Sequence, residues 1–119
     1  DPEWILLLWA ARRLHQPVRW LADRAEEFVT GAQGRDIQAT AKLGLDASGR
    51  ILALDVAMVA NLGAYLSGNG PGASVVAAST AQGGVYDIPA IAVDVRGAVT
   101  NTVPVDAYRG AGKPEANYI

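Results

Sequence analysis

The chain has 119 residues, half of them hydrophobic, with ten basic and twelve acidic side chains and a formal net charge of −2. That length allows one domain with a core of useful size, and the composition excludes a disordered chain. The charges are scattered without a basic run, which argues against a nucleic-acid partner. The absence of cysteine rules out disulfides, thiolate zinc sites and iron–sulfur ligation by this chain.

Asp1 and Pro2 form an N-cap and first-turn pair that opens a predicted helix over Pro2 to His15. Trp4, Leu7, Leu8, Ala11 and Leu14 recur at steps of three and four, the stripe of a packed face, and the expectation is a buried core helix. The apolar run from Trp4 to Ala11 is interrupted by Arg12 and Arg13, well short of the roughly 20 residues that cross a bilayer. Asp1-Pro2-Glu3 shows no basic n-region of a signal peptide. Gln16-Pro17 ends the helix, because the residue before a proline avoids the α region. Val18 to Leu21 reads as a short strand. Asp23 and Glu26 have capping-box spacing and open a short helix that fades at Thr30-Gly31.

A long antiparallel β-hairpin is predicted next. Ile37, Ala39, Ala41, Leu43 and Leu45 alternate with Gln38, Thr40, Lys42 and Gly44, the period of a half-buried strand. Asp46-Ala47-Ser48-Gly49 is the turn. Leu52, Leu54, Val56, Met58 and Ala60 carry the core face of the return strand, with Asp55 opposite. Ser67 to Gly72 is a loop on composition, Ala73 to Gln82 a short small-residue helix, and Gly83-Gly84 its break. Ile91, Val93 and Val95 alternate with Asp94 and Arg96 in a last strand. The order helix–strand–helix, hairpin, short helix, strand and loop predicts an α+β fold, with residues 1–119 as a single partial domain. The chain opens at a helix start and stops a few residues into a second predicted helix, so it is expected to be a piece of a longer protein.

The segment Val105 to Glu115 is the most informative. Tyr108 and Arg109 stand directly before Gly110-Ala111-Gly112, and Lys113-Pro114 can start a helix. Two glycines in three residues let the backbone turn tightly and approach a ligand with no Cβ in the way. Amides at the loop–helix junction can then face an anion. On spacing alone this fits a cofactor or phosphate cradle, and it equally fits an ordinary turn between a strand and a helix. A P-loop does not fit, because Ala107 stands where that motif needs glycine and Pro114 where it needs Ser or Thr.

Other candidates read more simply as structure. His15 is the sole histidine, lies at a helix end and has no ligand-forming neighbours. Arg12 and Arg13 suit the same helix end. Asp23, Glu26 and Glu27 fit capping and a solvated surface. Ser67, Ser79 and Thr80 lack a histidine partner for a hydrolase triad. Asn61, Gly63 and Tyr65 mark a strand end with a bend at Gly63, with a part in a substrate channel as the other reading.

Four ordered stretches carry a resemblance that covers nearly the whole chain. Ala107 to Glu115 resembles the AYRGAGRPE-type loop of molybdenum hydroxylase large subunits, the family of xanthine dehydrogenases, aldehyde oxidoreductases and aerobic carbon monoxide dehydrogenase large chains. Trp9 to Leu14 with Gln16 to Trp20 is similar to the family's helix and "RPV(K/R)W" segment. Ala22 to Phe28 resembles "DRxE", and Ala60 to Tyr65 resembles "NxGAY". The resemblance implies part of a molybdenum-cofactor-binding domain, in which Tyr108, Arg109, Gly110 and Ala111 line the cofactor site. It implies a molybdenum–molybdopterin cofactor in its cytosine dinucleotide form. An iron–sulfur small subunit, an FAD-bearing medium subunit, the remainder of the large subunit and a small-molecule substrate would be its partners. It further implies a cytoplasmic oxidoreductase that hydroxylates an aldehyde or N-heterocycle, whose catalytic glutamate and "GGxFGxK" segment lie outside residues 1–119. The isolated chain is then expected to be inactive. Gly110 departs from established carbon monoxide dehydrogenases, whose "AYRCSFR" loop holds copper through a cysteine, so oxidation of carbon monoxide is not implied. The reading set against this one is a non-enzymatic structural or interaction domain on the same scaffold; a nucleotide-binding domain is a weaker third.

Overall fold

The computed structural model describes residues 2–119, so the expected N-cap at Asp1 lies outside the described residues. The chain divides into two compact units, Asp1–Thr30 and Gly31–Ile119.

The first unit is helical. Helix α1 spans Pro2–Leu14, with Arg12 and Arg13 in its last turn beside the carbonyl end of the helix dipole. His15 follows at φ 54, the left-handed residue that commonly closes a helix. The apolar stripe is present, but only Leu7 and Ala11 are half-buried; Trp4, Leu8 and Leu14 are exposed, as are Ile5 and Trp9. The expected buried core helix is therefore, among the described residues, a helix with most of its large apolar side chains exposed. The expected strand at Val18 to Leu21 does not form. A β-strand exists only through a ladder partner, and no segment of the unit pairs with it. Helix α2, Arg24–Thr30, starts as its capping residue dictates: the Asp23 carboxylate accepts the Glu26 amide at 2.8 Å.

The second unit is built on a three-stranded sheet in the order β2-β3-β4. Strand β1, Gln33–Gly34, belongs to a separate two-stranded pair described below. Strands β2, Ile37–Leu45, and β3, Ile51–Gly63, form the expected antiparallel hairpin, with Leu43 facing Leu54 and Ala41 facing Val56. In the turn between them, one oxygen of Asp46 accepts the Ser48 amide at 2.8 Å, the Ser48 hydroxyl at 2.6 Å and the Arg50 amide at 3.0 Å. Gly49 takes φ 85 to complete it. Those bonds favour the charged carboxylate, so the Asp46 pKa is lowered, first by the Ser48 hydroxyl and then by the Arg50 amide.

Alternation along β3 places Leu54, Val56, Met58 and Ala60 inside and Asp55, Ala57 and Val59 outside. Val56 and Met58 are almost fully enclosed and pack with Leu54 and Ala78, flanked by Ile37, Ile88, Val93 and Val95. Each such side chain contributes about 1.5–3 kcal/mol by leaving water. The core face expected on β2 is half-covered only at Ile37; Ala39, Ala41, Leu43 and Leu45 stay open.

After β3 the chain enters a helical segment at Gly70, three residues earlier than composition indicates. Pro71 already has helical angles, Gly72–Ala77 is a π-helix, and helix α3, Ala78–Thr80, continues it. This crossover lets strand β4, Ile91–Val99, return parallel to β3, with Val56 opposite Val93 and Met58 opposite Val95. Strand β5, Val105–Asp106, pairs in parallel with β1, and helix α4, Lys113–Tyr118, ends the described chain. Helices and a mixed sheet in one chain make the α+β class that the element order predicts.

Candidate functional site

The bend from Tyr108 to Gly112 joins β5 to α4, and both of its neighbours are fixed by backbone approach. On the β1 side, Tyr108 lies over Gly34, where an added Cβ would stand 2.9 Å from the Tyr108 Cβ. On the helical side, a Cβ on Gly112 would lie 2.5 Å from the Ala77 carbonyl carbon. Gly112 is accordingly buried between bend and helix. Of the two glycines expected to permit a close approach, Gly112 thus permits it to the protein's own backbone and Gly110 to the Pro114 ring.

The turn itself is unusual. Gly110, Ala111 and Gly112 have φ of 100, 40 and 86, three left-handed residues in succession, one of them carrying a Cβ. The turn closes with the Ala111 amide donating to the Tyr108 carbonyl at 2.9 Å and the Lys113 amide to the Gly110 carbonyl at 3.1 Å. Gly112 is the N-cap of α4, so Lys113 rather than Pro114 is the first helical residue and Pro114 the second. Proline is tolerated there because a first-turn amide has no acceptor inside the helix. Among the described residues, the amides of Arg109 and Gly110 donate to no acceptor. Successive amides exposed in left-handed backbone form an anion-binding concavity.

Two arginines serve this bend differently. Arg35, at φ 62 between β1 and β2, stacks its guanidinium 4.8 Å from the centre of the Tyr108 ring. It also donates to the Arg109 carbonyl and pairs with Glu115 at 2.9 Å. Arg109 has an exposed side chain that makes no ion pair among the described residues. Tyr108 is also exposed, at 64%. The residues singled out in the sequence, Tyr108, Arg109, Gly110 and Ala111, are therefore together on one outward bend, and Arg35 is the member that sequence patterning missed. It has no periodic partner, and its spacing of 74 residues from Arg109 is invisible before folding.

Two hollows adjoin the bend. A crevice bordered by Arg35, Ser74, Tyr108, Ala111, Gly112 and Glu115 measures about 10 Å³, room for no more than a water, so a ligand would meet the outward side of the bend. A larger cavity of about 530 Å³ lies between the hairpin and α4, lined by Ile37, Met58, Pro114 and Tyr118, with Arg35 and Glu115 at its polar end. None of the four residues Tyr108 to Ala111 lines it. Glu115 keeps one buried oxygen without a hydrogen-bond partner among the described residues.

The remaining candidates are structural. Asn61 is a hub: its amide nitrogen donates to Asp36 at 2.8 Å and to Thr102 at 2.9 Å. Its oxygen accepts from the Gly63 amide and the Thr100 hydroxyl, both at 2.8 Å. Those bonds tie the strand end at Asn61 to Asp36, Gly63, Thr100 and Thr102. The hydroxyls of Ser67, Ser79 and Thr80 bond to the carbonyls of Val105, Val76 and Ala77. His15 borders a surface hollow with Trp9, Arg12 and Arg13, and Arg13 stacks over Trp9 at 5.9 Å. Among the described residues no group of three or more His, Asp or Glu side chains is placed to hold a metal ion.

Comparison with known proteins identifies the family of the chain. Residues 2–119 match the family described as the molybdopterin cofactor-binding domain. The chain is 35% identical over 117 residues to the gamma subunit of the 6-hydroxypseudooxynicotine dehydrogenase complex of Paenarthrobacter nicotinovorans, covering 98% of this chain and 15% of that protein. It is 34% identical over 109 residues to the carbon monoxide dehydrogenase large chain of Hydrogenophaga pseudoflava, covering 91% of this chain and 14% of that one. Its structure superposes on quinoline 2-oxidoreductase from Pseudomonas putida 86 with a TM-score of 0.83 at 33% identity, over 94% of this chain and 14% of the other. The chain thus spans about a seventh of the length of these relatives.

Proposed function

Because the chain belongs to the molybdopterin cofactor-binding domain family, we propose that its outward bend at Tyr108, Arg109, Gly110 and Ala111 forms one wall of a molybdenum–pterin site in a larger oxidoreductase subunit. The observation that carries this reading is the pairing of a free guanidinium at Arg109 with unbonded amides at Arg109 and Gly110. A guanidinium offers five donors in a fixed fork, which suits an oxo- or phosphate-bearing group, and the amides add donors that need no side chain. When bound, such a group supplies the redox chemistry that places oxygen from water on a substrate carbon. This chain's own part is to bind and orient it and to present positive charge to its anionic edge.

The substrate class we favour is an aldehyde or N-heterocycle, in keeping with relatives named for a pyridine alkaloid and for quinoline. A copper–thiolate route to carbon monoxide oxidation is not part of the reading. The chain has no cysteine, and a Cβ at position 110 would stand 2.8 Å from the Pro114 ring. The two units would belong to one partial domain completed by further chain, in keeping with the share of the relatives that is matched. The cofactor would be the cytosine dinucleotide form, with iron–sulfur and FAD groups on partner subunits or domains in a cytoplasmic assembly. No helix among the described residues is long and apolar enough to cross a membrane. A structural domain that has lost its site is the lesser reading, since the bend keeps its donors free.

The test is elemental analysis of the intact subunit purified from a host that makes the cofactor. Stoichiometric molybdenum, together with release of a cytosine nucleotide on hydrolysis, is expected. A soluble, folded subunit without molybdenum sinks the reading.

A further inference from the structure

Arg35 touches both limbs of the bend. Its guanidinium stacks on the Tyr108 ring at 4.8 Å, donates to the Arg109 carbonyl, and pairs with Glu115, in the first turn of α4, at 2.9 Å. The pair is well sheltered, with the Arg35 side chain 33% and the Glu115 side chain 14% exposed. The second Glu115 oxygen is buried without a partner, so Arg35 is the only cation facing that carboxylate among the described residues. The left-handed backbone of Arg35 is itself uncommon for a residue with a long side chain. It is held there by the β1–β5 pairing on one side and the ladder of β2 on the other. Gly34, immediately before it, leaves the space that Tyr108 occupies.

We propose that Arg35 is the positioning residue of the Tyr108–Gly112 bend: it fixes the Tyr108 ring and the Arg109 main chain from behind, which leaves the Arg109 guanidinium free for the bound group. The division of labour between the two arginines deepens the cofactor reading above and rests on it for what Arg109 meets. The clamp itself rests on the contacts alone. Planarity matters here, because stacking and a second directed donor are properties of a guanidinium that an ammonium lacks.

The experiment uses the intact subunit with Arg35→Gln and Arg35→Lys. Amide exchange at Ala111 and Lys113, whose amides donate within the turn, is expected to accelerate about tenfold in Arg35→Gln, as loss of a charge-assisted bond predicts, while the β3–β4 ladder keeps its protection. Arg35→Lys, which keeps a charge facing Glu115, is expected to accelerate the bend by less. In subunits that load molybdenum, the Mo(V) resonance is expected to change shape in both variants. Exchange at the wild-type rate overturns the proposal, as does acceleration spread evenly over the sheet, or an unchanged resonance in a fully loaded variant. If Arg35→Gln does not fold, Arg35→Lys is read by the same criteria. A wild-type subunit without molybdenum removes the cofactor reading instead, and bend exchange alone then decides the role of Arg35.

Discussion

Gly112 lies so close to Ala78 that a Cβ at position 112 would stand 2.3 Å from the Ala78 amide nitrogen. Ala78 is itself fully buried in the core beneath β3. The candidate site is therefore seated directly on the hydrophobic core, with one backbone-to-backbone contact between them. Gly112→Ala would add this clash to the strain of a side chain at φ 86, and it should destabilise the bend by about 3 kcal/mol or more. Thermal unfolding of the intact subunit and its molybdenum content check this. An alanine variant with wild-type melting and loading would mean that the bend and the helix are not in register as described.

Arg109→Gln removes a cation that makes no ion pair among the described residues, without touching the Arg35 clamp, which uses the Arg109 carbonyl. Cofactor retention should fall by about tenfold or more, in line with about 1.5–3 kcal/mol for a charged hydrogen bond, while melting stays within about 0.5 kcal/mol of wild type as for a surface site. Arg109→Lys should restore only part of the retention, because the fork is lost. Dialysis followed by metal analysis reads the effect.

Asn61→Ala should cost about 2–4 kcal/mol, since it leaves Asp36, the Gly63 amide and the Thr100 hydroxyl seeking new partners in a half-buried place. The substrate KM of the assembled enzyme should be unchanged. A raised KM with normal melting would return Asn61 to a channel role.

The hairpin turn should weaken in acid. Asp46 has a lowered pKa in the folded chain, so its contribution is fully present above the ordinary aspartate value and is lost as the pH falls through the lower folded value. Carbon NMR of the Asp46 carboxyl should titrate below the ordinary value. Asp46→Asn should abolish the acid dependence of amide exchange at Ser48 and Arg50. An ordinary titration midpoint would contradict the bond network of the turn.

Within β3, Met58→Ala should cost about 2–5 kcal/mol because Met58 is 2% exposed, whereas Leu52→Ala, at a 47% exposed position, should cost much less. Equal losses at both positions would mean that the core on this face does not stop at Leu54, short of the exposed Leu52.

Much of this architecture was legible in local patterning. The hairpin, its Asp46 turn, the core face at Leu54, Val56 and Met58, and the Asp23 cap all follow from rules that act over a few residues. So does the chemical character of the bend, since tyrosine, arginine and glycine side chains announce what they can offer. Val18 to Leu21 shows where such rules stop: four residues have enough apolar character for a strand, yet a ladder needs a partner that local sequence cannot supply. The early start of the helical segment at Gly70-Pro71 has a related cause, as composition marks glycine and proline as loop formers although proline also suits a first helical turn.

The amino-acid order by itself determined helices α1 and α2, the hairpin, the inward face of β3 from Leu54 to Ala60, and the donors gathered between Tyr108 and Gly112. Only the tertiary structure decided that β4 runs parallel to β3, that β1 meets β5, and that Arg35 reaches across 74 residues to hold the bend. The physical reason is range. Helix periodicity, strand alternation and turn chemistry are settled between near neighbours, whereas a clamp or a parallel ladder exists only once loop closure has brought distant backbone together.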